Sequence, residues 1–180
     1  MKNTIRTLAL VAILASPSLA SAQQRTTPVS FGVSGGLSLP VGDLGDAVDA
    51  GYNVTGHIWL SPASFKTVGF RGDVSYDNWS YKKFGASTRN LGVVANAIIH
   101  PSVSQSTVVP YIIGGVGFFN GKNYTTVSSS STSSDPGVQV GGGIEFKLSG
   151  FSTFAEAKFV NVFTNGNATN WVPITFGVRF

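Results

Sequence analysis

The sequence predicts an all-β fold, an eight-stranded antiparallel up-and-down transmembrane β-barrel. Three observations support this prediction. Eight segments alternate between apolar and polar residues, which is the period of a strand with two different faces. Charged residues make up only 11% of the chain, against roughly 25% in an average soluble domain. The links between the eight segments also alternate in length, as they do in membrane barrels.

The first 22 residues have the pattern of a secretory signal peptide. Lys2 and Arg6 precede an apolar run too short to anchor the chain, and Ala20-Ser21-Ala22 forms an A-x-A cleavage site. We therefore expect residues 1–22 to be removed on export and residues 23–180 to form one barrel domain. Loss of the two basic residues lowers the formal charge from +4 to +2, which is too little to indicate nucleic acid as a partner. The chain has no cysteine, so disulfides cannot stabilise the exported domain.

The first four strands each place apolar residues on one face and polar residues on the other. They are, in order, VSFGVSGGLSL, YNVTGHIWL, VGFRGDVSYD and NLGVVANAIIH. In the second, Val54 and Ile58 oppose Thr55 and His57, and Trp59 falls on the polar face. In the fourth strand Val94 and Ile98 likewise share the face of the polar residues.

The last four strands continue the alternation. They are YIIGGVGFF, VQVGGGIEFKL, FSTFAEAKFVNVF and the final segment WVPITFGVRF. The eight strands are about nine to eleven residues long, the length needed for a tilted crossing of a bilayer.

The connections are short after the second, fourth and sixth strands and longer or more polar after the others. The longest is NGKNYTTVSSSSTSSDPG, after the fifth strand. In outer-membrane barrels the short turns face the periplasm. We therefore expect both ends of the mature chain on the periplasmic side, with the eighth strand closing on the first so that no edge remains.

A soluble secreted barrel that binds an apolar ligand is the structural alternative, because it would show the same alternation with its apolar face turned inward. Small residues on the polar face favour a narrow lumen instead. Aromatic residues near the predicted strand ends favour girdles at the two membrane interfaces. These aromatic residues are Trp59, Trp79, Tyr111, Phe119, Phe151, Phe163 and Trp171.

The strand patterns VGFRGDVSYD and VPYIIGGVGFF, the signal peptide and the final Phe180 are similar to those of a known family. The chain resembles the small eight-stranded outer-membrane β-barrels of Gram-negative bacteria, which include the transmembrane domain of outer membrane protein A and outer membrane protein X. The resemblance covers nearly all of the mature chain. It implies contact with outer-membrane lipid and lipopolysaccharide, and a last strand that the barrel-assembly machinery recognises through Phe176, Val178 and Phe180. Pro173 lacks a ladder donor, so we expect it near the outer rim.

Charged residues on the polar face are the candidate site. An eight-stranded lumen is just wide enough to be filled by side chains, so its charges must pair or keep water. We expect Glu156 opposite Arg179 and His57 near Arg71. The set is interpreted as a structural ion-pair network that plugs the barrel, with a conducting or gated pore as the alternative. Its members are Arg71, Asp73, Glu145, Lys147, Glu156, Lys158 and Arg179.

The sequence predicts no enzyme, no metal site and no cofactor. His100-Pro101-Ser102 resembles the His-x-Ser arrangement of outer-membrane lipid A deacylases, but it lies at a predicted periplasmic turn. The acidic residues of GDLGDAVDAG are spaced unlike the ligands of a calcium loop, so we expect a loop with a helical turn there. The predicted function is a structural or surface-interaction role through the extracellular loops of a monomer, with an unidentified surface ligand. A narrow channel for small solutes and the soluble binder are the alternatives.

Overall fold

The computed structural model describes residues 29–62, 64–65, 67–83, 86–101, 107–124, 133–164 and 168–180. It forms a closed barrel of eight antiparallel strands, each paired with its neighbours in sequence, and the eighth strand pairs with the first. The predicted fold class is confirmed. The predicted signal peptide, residues 1–22, lies outside the described residues. The elements are β1 (Val29–Val41), α1 (Asp43–Ala47), β2 (Gly51–Leu60), β3 (Val68–Ser80), β4 (Ser87–Ile99), β5 (Val108–Tyr124), β6 (Ser133–Lys147), β7 (Ser152–Phe163) and β8 (Ala168–Arg179).

Apolar side chains cover the outside of the barrel and polar side chains face the lumen. Phe31, Val116 and Phe176 are 59%, 64% and 58% exposed, whereas Asp73 and Glu156 are both only 2% exposed. A soluble barrel would have the opposite arrangement, because an apolar exterior of this extent needs lipid around it. The alternative of a soluble barrel with its apolar face inward is therefore wrong. Among the described residues, no helix is both long and apolar enough to cross a membrane.

The two ends of the barrel differ in their connections. The turn end carries the links after β2, β4 and β6, and the loop end carries the links after β1, β3, β5 and β7. In barrels of this architecture the short turns face the periplasm and the loops face outward.

The loop end extends further than the sequence indicates. β5 has 17 residues and β6 has 15, and their ladder runs as far as Gly121 opposite Ser133. Much of the polar run that we expected to be loop is thus strand. Beyond the bilayer both faces of a strand meet water, so the apolar alternation that marks a strand within the membrane is lost there.

Pro173 lies in the middle of β8 and not near the outer rim, so that expectation is wrong. It is an inward-facing residue opposite Ser38 of β1, and the ladder with β7 is interrupted beside it, between Ala157 and Val160. The strand begins as early as Ala168, because polar residues before the apolar run also pair with β7. Proline is tolerated where the neighbouring strand forgoes a hydrogen bond.

Candidate functional site

The middle of the lumen is filled by charged side chains from β3 and β7. Strand alternation points Arg71, Asp73, Glu156 and Lys158 inward, and all four are buried. Glycine on β6 makes room for them, because Gly143 lies opposite Glu156 in the ladder. A Cβ atom at Gly143 would lie only 2.5 Å from the Tyr111 hydroxyl. We call Arg71, Asp73, Glu156 and Lys158 the central cluster.

Arg71 joins two carboxylates across the lumen. Its Nε and Nη2 donate to the carboxylate of Asp73 at 2.8 and 2.9 Å. Its Nη1 and Nη2 donate to Glu156 on the opposite wall at 2.7 and 2.8 Å. Two-pronged pairs of this kind are the strongest ion pairs that side chains form, and they fix orientation as well as distance. Arg71 therefore ties β3 to β7 through the centre of the barrel.

The remaining partners of the cluster satisfy its other oxygen atoms. Lys158 Nζ lies 3.2 Å from Glu156 Oε1 and 3.4 Å from Asp73 Oδ2. The hydroxyl of Tyr111 donates to Glu156 Oε2 at 2.7 Å. Buried charges are tolerated only when they are paired and hydrogen-bonded in this way. Each of the four charged groups of the central cluster is thus paired with an opposite charge.

The predicted pairing of Glu156 with Arg179 is wrong. The ladder places Glu156 opposite Thr175, and Arg179 opposite Ser152 at the turn end. Glu156 pairs with Arg71 instead. The register of a hairpin depends on where its loop is centred, and an uncertain strand start shifts every pair along it.

The other candidate residues separate into two groups. Arg179 Nη1 lies 3.3 Å from Glu145 Oε1 at the turn end, away from the central cluster. Lys147 is exposed at the end of β6, at the turn end of the barrel. His57 does lie near Arg71, because both contact the carboxylate of Asp73.

The structure also assembles a chain of three side chains that the sequence does not reveal. His57 Nδ1 lies 2.8 Å from Asp73 Oδ1, and its Nε2 lies 2.8 Å from the hydroxyl of Ser34. These residue types in this order are those of hydrolytic triads. They come from three neighbouring strands, so only the register brings them together.

The surroundings of these three side chains, Ser34, His57 and Asp73, do not suit acyl transfer. Ser34 is 4% exposed, and a Cβ atom added at Gly177 would lie 2.7 Å from the Cβ of Ser34. The hydroxyl of Ser34 is therefore buried where a substrate from outside the barrel does not reach it. Asp73 is also held by Arg71, so its charge is already matched. The hydrogen bonds to Ser34 and Asp73 orient His57 in the lumen. The only hydroxyl that His57 contacts here is that of Ser34, which is buried away from a substrate.

The turn end of the lumen is closed by apolar and aromatic side chains. We call the buried residues Trp59, Ile98, Tyr111, Ile113 and Phe154 the lower plug. Arg179 stacks over the Trp59 ring at 5.2 Å. Below them, beside Arg179, only a cavity of about 20 Å³ remains, which is room for roughly one water molecule. At its edge burial lowers the pKa of His100.

The loop end is closed by a second apolar group, the upper plug. It consists of Val48, Trp79, Val94, Phe119, Val160, Val162 and Trp171. Val48 comes from the link between β1 and β2 and is 1% exposed. This link contains α1 and is fixed to the end of β3, because Asp49 N–H donates to the carbonyl of Ser80 at 2.9 Å.

The expected aromatic girdles are largely wrong. Five of the seven aromatic residues, Trp59, Trp79, Tyr111, Phe119 and Trp171, are buried inside the barrel. Alternate residues of a strand share a face, and these five fall on the same face as the polar residues. They therefore point inward and form the plugs. Only Phe151 and Phe163 are exposed at the rims, at 42% and 55%.

The predicted assembly signal lies on the outside of the last strand. Phe176 and Phe180 are 58% and 65% exposed, and Val178 shares their face. Phe180 exchanges two backbone hydrogen bonds with Phe31 of β1, at 2.8 and 3.2 Å. The final residue is thus held in the closing seam of the barrel.

No group of three or more His, Cys, Asp or Glu side chains that could hold a metal ion occurs within the described part of the chain. The expected loop at Asp43, Asp46 and Asp49 contains the short helix α1, and Ser102 of the His100 motif lies outside the described residues.

Comparisons with known proteins agree with this architecture. Among solved structures, the chain is similar to neisserial surface protein A, with a TM-score of 0.68 and 17% identity over 85% of this chain and 96% of that one. It is also similar to the N-terminal β-barrel domain of Pseudomonas aeruginosa OprF, with a TM-score of 0.50 and 16% identity over 84% and 97%. Ail, the attachment invasion locus protein of Yersinia pestis, gives a TM-score of 0.50 and 16% identity over 84% and 97%.

These identities are low, so the likeness to the three structures shows a shared fold alone. No curated protein matches the sequence. The family model described as outer membrane protein beta-barrel domain matches residues 7–180, which is nearly the whole chain. The chain therefore belongs to the outer membrane protein beta-barrel domain family.

Proposed function

We propose that this outer-membrane barrel is a closed scaffold that passes no solute and acts through contacts made at its loop end. The observation that carries the proposal is the filling of the lumen at three successive levels. The lower plug, the central cluster and the upper plug each block the cross-section with buried side chains. The cavity below the lower plug and the cavity between the central cluster and the upper plug each have room for about one water molecule.

A narrow channel is the competing function, and the polar lining of the lumen favours it. Conduction requires that an ion can leave the groups that bind it. Here each charge of the central cluster is held by a fixed opposite charge within 3.4 Å. An ion would have to break these pairs and also pass two apolar plugs, so the geometry favours closure.

Conductance across a planar bilayer tests the closed lumen. We expect the purified, folded barrel to give no steady conductance, while a 16-stranded porin in the same bilayer conducts continuously. Insertion is verified by the faster gel mobility of the unboiled protein. A steady, reproducible conductance from the inserted wild-type barrel would establish the channel and overturn the proposal.

Contact at the loop end is supported by its shape. The β5–β6 hairpin continues past the last residue pair of β6 with β7, which is Gly137 with Val162, so it projects beyond its neighbour. Asp43 and Asp46 of α1 are also exposed at this end. The name of the Yersinia pestis protein, attachment invasion locus protein, suits such a role. We propose lipopolysaccharide or a host-surface molecule as the ligand.

A shortened hairpin tests this role. Gly121 and Ser133 face each other in the ladder, so an Asn-Gly turn joining them removes the hairpin tip and leaves the barrel intact. We expect cells that display the wild-type protein to bind immobilised lipopolysaccharide or epithelial cells better than cells that display the shortened variant. Equal binding by both, with equal amounts of heat-modifiable barrel, would contradict a contact made by this hairpin.

We also propose that the barrel-assembly machinery recognises Phe176, Val178 and Phe180. Support comes from their shared outward face and from the seam that Phe180 forms with β1. The barrel is proposed to be a monomer, because the closed ladder leaves no unpaired strand within the membrane to join a second copy.

A further inference from the structure

A fifth charged residue of the lumen has no ionic partner. Asp77 points inward from β3 between the central cluster and the upper plug, and it is 1% exposed. Its Oδ1 accepts hydrogen bonds from the hydroxyl of Ser38 at 2.7 Å and from Asn53 Nδ2 at 2.9 Å. Both donors are neutral, and none of the ion pairs among the described residues includes Asp77.

The charges of the buried lumen do not sum to zero when every carboxyl group is ionised. Three carboxylates, those of Asp73, Asp77 and Glu156, face two cations, Arg71 and Lys158. The Arg179–Glu145 pair at the turn end is neutral as a unit. One negative charge is therefore in excess inside a barrel surrounded by lipid, where an unmatched charge is strongly disfavoured.

The space beside Asp77 has room for a very small occupant. A cavity of about 10 Å³, close to the size that holds one water molecule, is lined by Asp77, Lys158, Gln139 and Trp171. The indole N–H of Trp171 also lines this cavity, and it is buried without a hydrogen-bond partner among the described residues. A water molecule here could accept a hydrogen bond from this N–H and from a protonated carboxyl group.

We propose that Asp77 is a proton-binding site and that its carboxyl group carries the proton that makes the lumen neutral. Asp77 keeps its hydrogen bonds from Ser38 and Asn53 in this form. Its free oxygen atom becomes a donor toward the cavity.

The other charged groups around Asp77 do not supply the missing positive charge. Lys158 faces it across the cavity but is paired with Glu156 and Asp73, the nearest acidic groups on β7 and β3. His57 on β2 is beside Arg71, which opposes a second positive charge there. A neutral ring with its proton on Nδ1 would donate to Asp73 and accept at Nε2 from Ser34, so both contacts of His57 are satisfied without a second proton.

The remaining acidic residues near the loop end are exposed or half-buried, so they supply no positive charge to the buried lumen. They are Asp135 on β6 and Asp43, Asp46 and Asp49 on the link that contains α1.

The consequence is a defined dependence of stability on pH. An aspartate in the unfolded chain loses its proton near pH 4, whereas the folded barrel keeps the proton on Asp77. The folded state then binds one proton more than the unfolded state, so its stability falls as pH rises above about 4. The folding equilibrium constant should fall about tenfold per pH unit from this one group until Asp77 ionises in the folded barrel.

Asp77→Asn removes this dependence on pH. The asparagine has nearly the same shape, and its single carbonyl oxygen can still accept the hydrogen bonds from Ser38 and Asn53. We expect wild type and variant to have equal resistance to urea in lipid vesicles near pH 4. The variant should then become the more stable of the two, by up to about tenfold in the equilibrium constant for each further pH unit. A variant that is less stable than wild type at pH 7 would show that the ionised carboxylate is used, and would overturn the proposal.

Two further measurements locate the charge. The infrared spectrum of the wild-type barrel at pH 7 should contain the carbonyl band of a protonated carboxyl group, and Asp77→Asn should lack it. Absence of the band in wild type would refute the assignment.

The effect of Asp77→Asn on stability should persist in a His57→Gln background and in choline instead of sodium buffers. Loss of the effect in either case would place the positive charge on His57 or on a bound metal cation.

Discussion

Replacing Arg71 by methionine should destabilise the barrel more than any other single change in the lumen. The substitution keeps the apolar stem and removes the guanidinium group, which makes four hydrogen bonds to Asp73 and Glu156. Both carboxylates stay in the lumen, where Lys158 lies between them and His57 and Tyr111 are their other partners. Breaking a buried pair in this way typically costs about 3–5 kcal/mol, which lowers the folding equilibrium constant roughly a hundredfold or more.

Arg179→Met is the matched control. The Arg179 side chain is 22% exposed and its pair with Glu145 spans 3.3 Å. A partly solvated pair contributes at most about 1 kcal/mol, so this variant should stay close to wild type. Both arginines stack on Trp59, and both variants remove one guanidinium group. The two sites therefore differ in how deeply the guanidinium group is buried and in how many carboxylates it contacts.

Urea-induced unfolding in lipid vesicles, followed by tryptophan fluorescence and by gel mobility, measures both effects. Adding Glu156→Met to Arg71→Met should recover much of the loss, because it removes one of the two carboxylates left without a partner. If Arg71→Met loses no more stability than Arg179→Met, or if the second substitution makes the loss larger, the central cluster does not contribute as described.

Three other results are expected. Gly36→Ala should lower stability by about 1–3 kcal/mol in the same urea assay, because its Cβ would collide with the backbone carbonyl of Ile174. Gly72→Ala should stay within about 0.5 kcal/mol of wild type, since no atom lies within 4 Å of its added Cβ; equal losses would contradict this reading of the glycines. Phe180→Ala should reduce the amount of barrel assembled in cells much more than the yield of refolding in detergent, and equal reductions would argue against recognition by the assembly machinery. A fluorophosphonate probe should leave Ser34 unlabelled in the folded barrel, as checked by mass spectrometry, and labelling there would reopen the question of catalysis.

The faces of the strands could be predicted from the sequence because a barrel wall separates two very different solvents. Strict alternation assigned Val54 and Ile58 to lipid and His57 to the lumen, and the structure agrees. It also assigned Val94 and Ile98 to the polar face, where they belong to the two plugs. The same parity applies to the inward tryptophan and phenylalanine residues, whose position near strand ends suggested interfacial girdles instead. Parity is the stronger signal, because it follows from backbone geometry.

Partners across the lumen could not be predicted in the same way. Each hairpin loop sets the register between two neighbouring strands. The offset between strands on opposite sides of the barrel is the sum of the registers of all the strand pairs between them. An error at the start of β8 is enough to place Glu156 opposite Arg179 instead of Thr175, and even the correct register between β7 and β8 does not reveal Arg71 as its partner. The contact of Arg71 with Glu156 joins residues 85 positions apart in the sequence, on strands that are not neighbours. Such contacts depend on the shear of the whole barrel, which no single segment encodes.

The link between β1 and β2 is tied down at the mouth of the barrel, and this limits how it can change. Its Val48 side chain completes the upper plug, and the carbonyl of Ala47 accepts a hydrogen bond from the backbone N–H of Lys82 at 3.2 Å. A peptide tag or epitope placed in this link would pull Val48 out and expose the tryptophan rings beneath it to water. The link is therefore a poor site for displaying foreign sequences, although it faces the exterior. The length of this exterior link is thus fixed by the contacts that it makes with the interior of the protein.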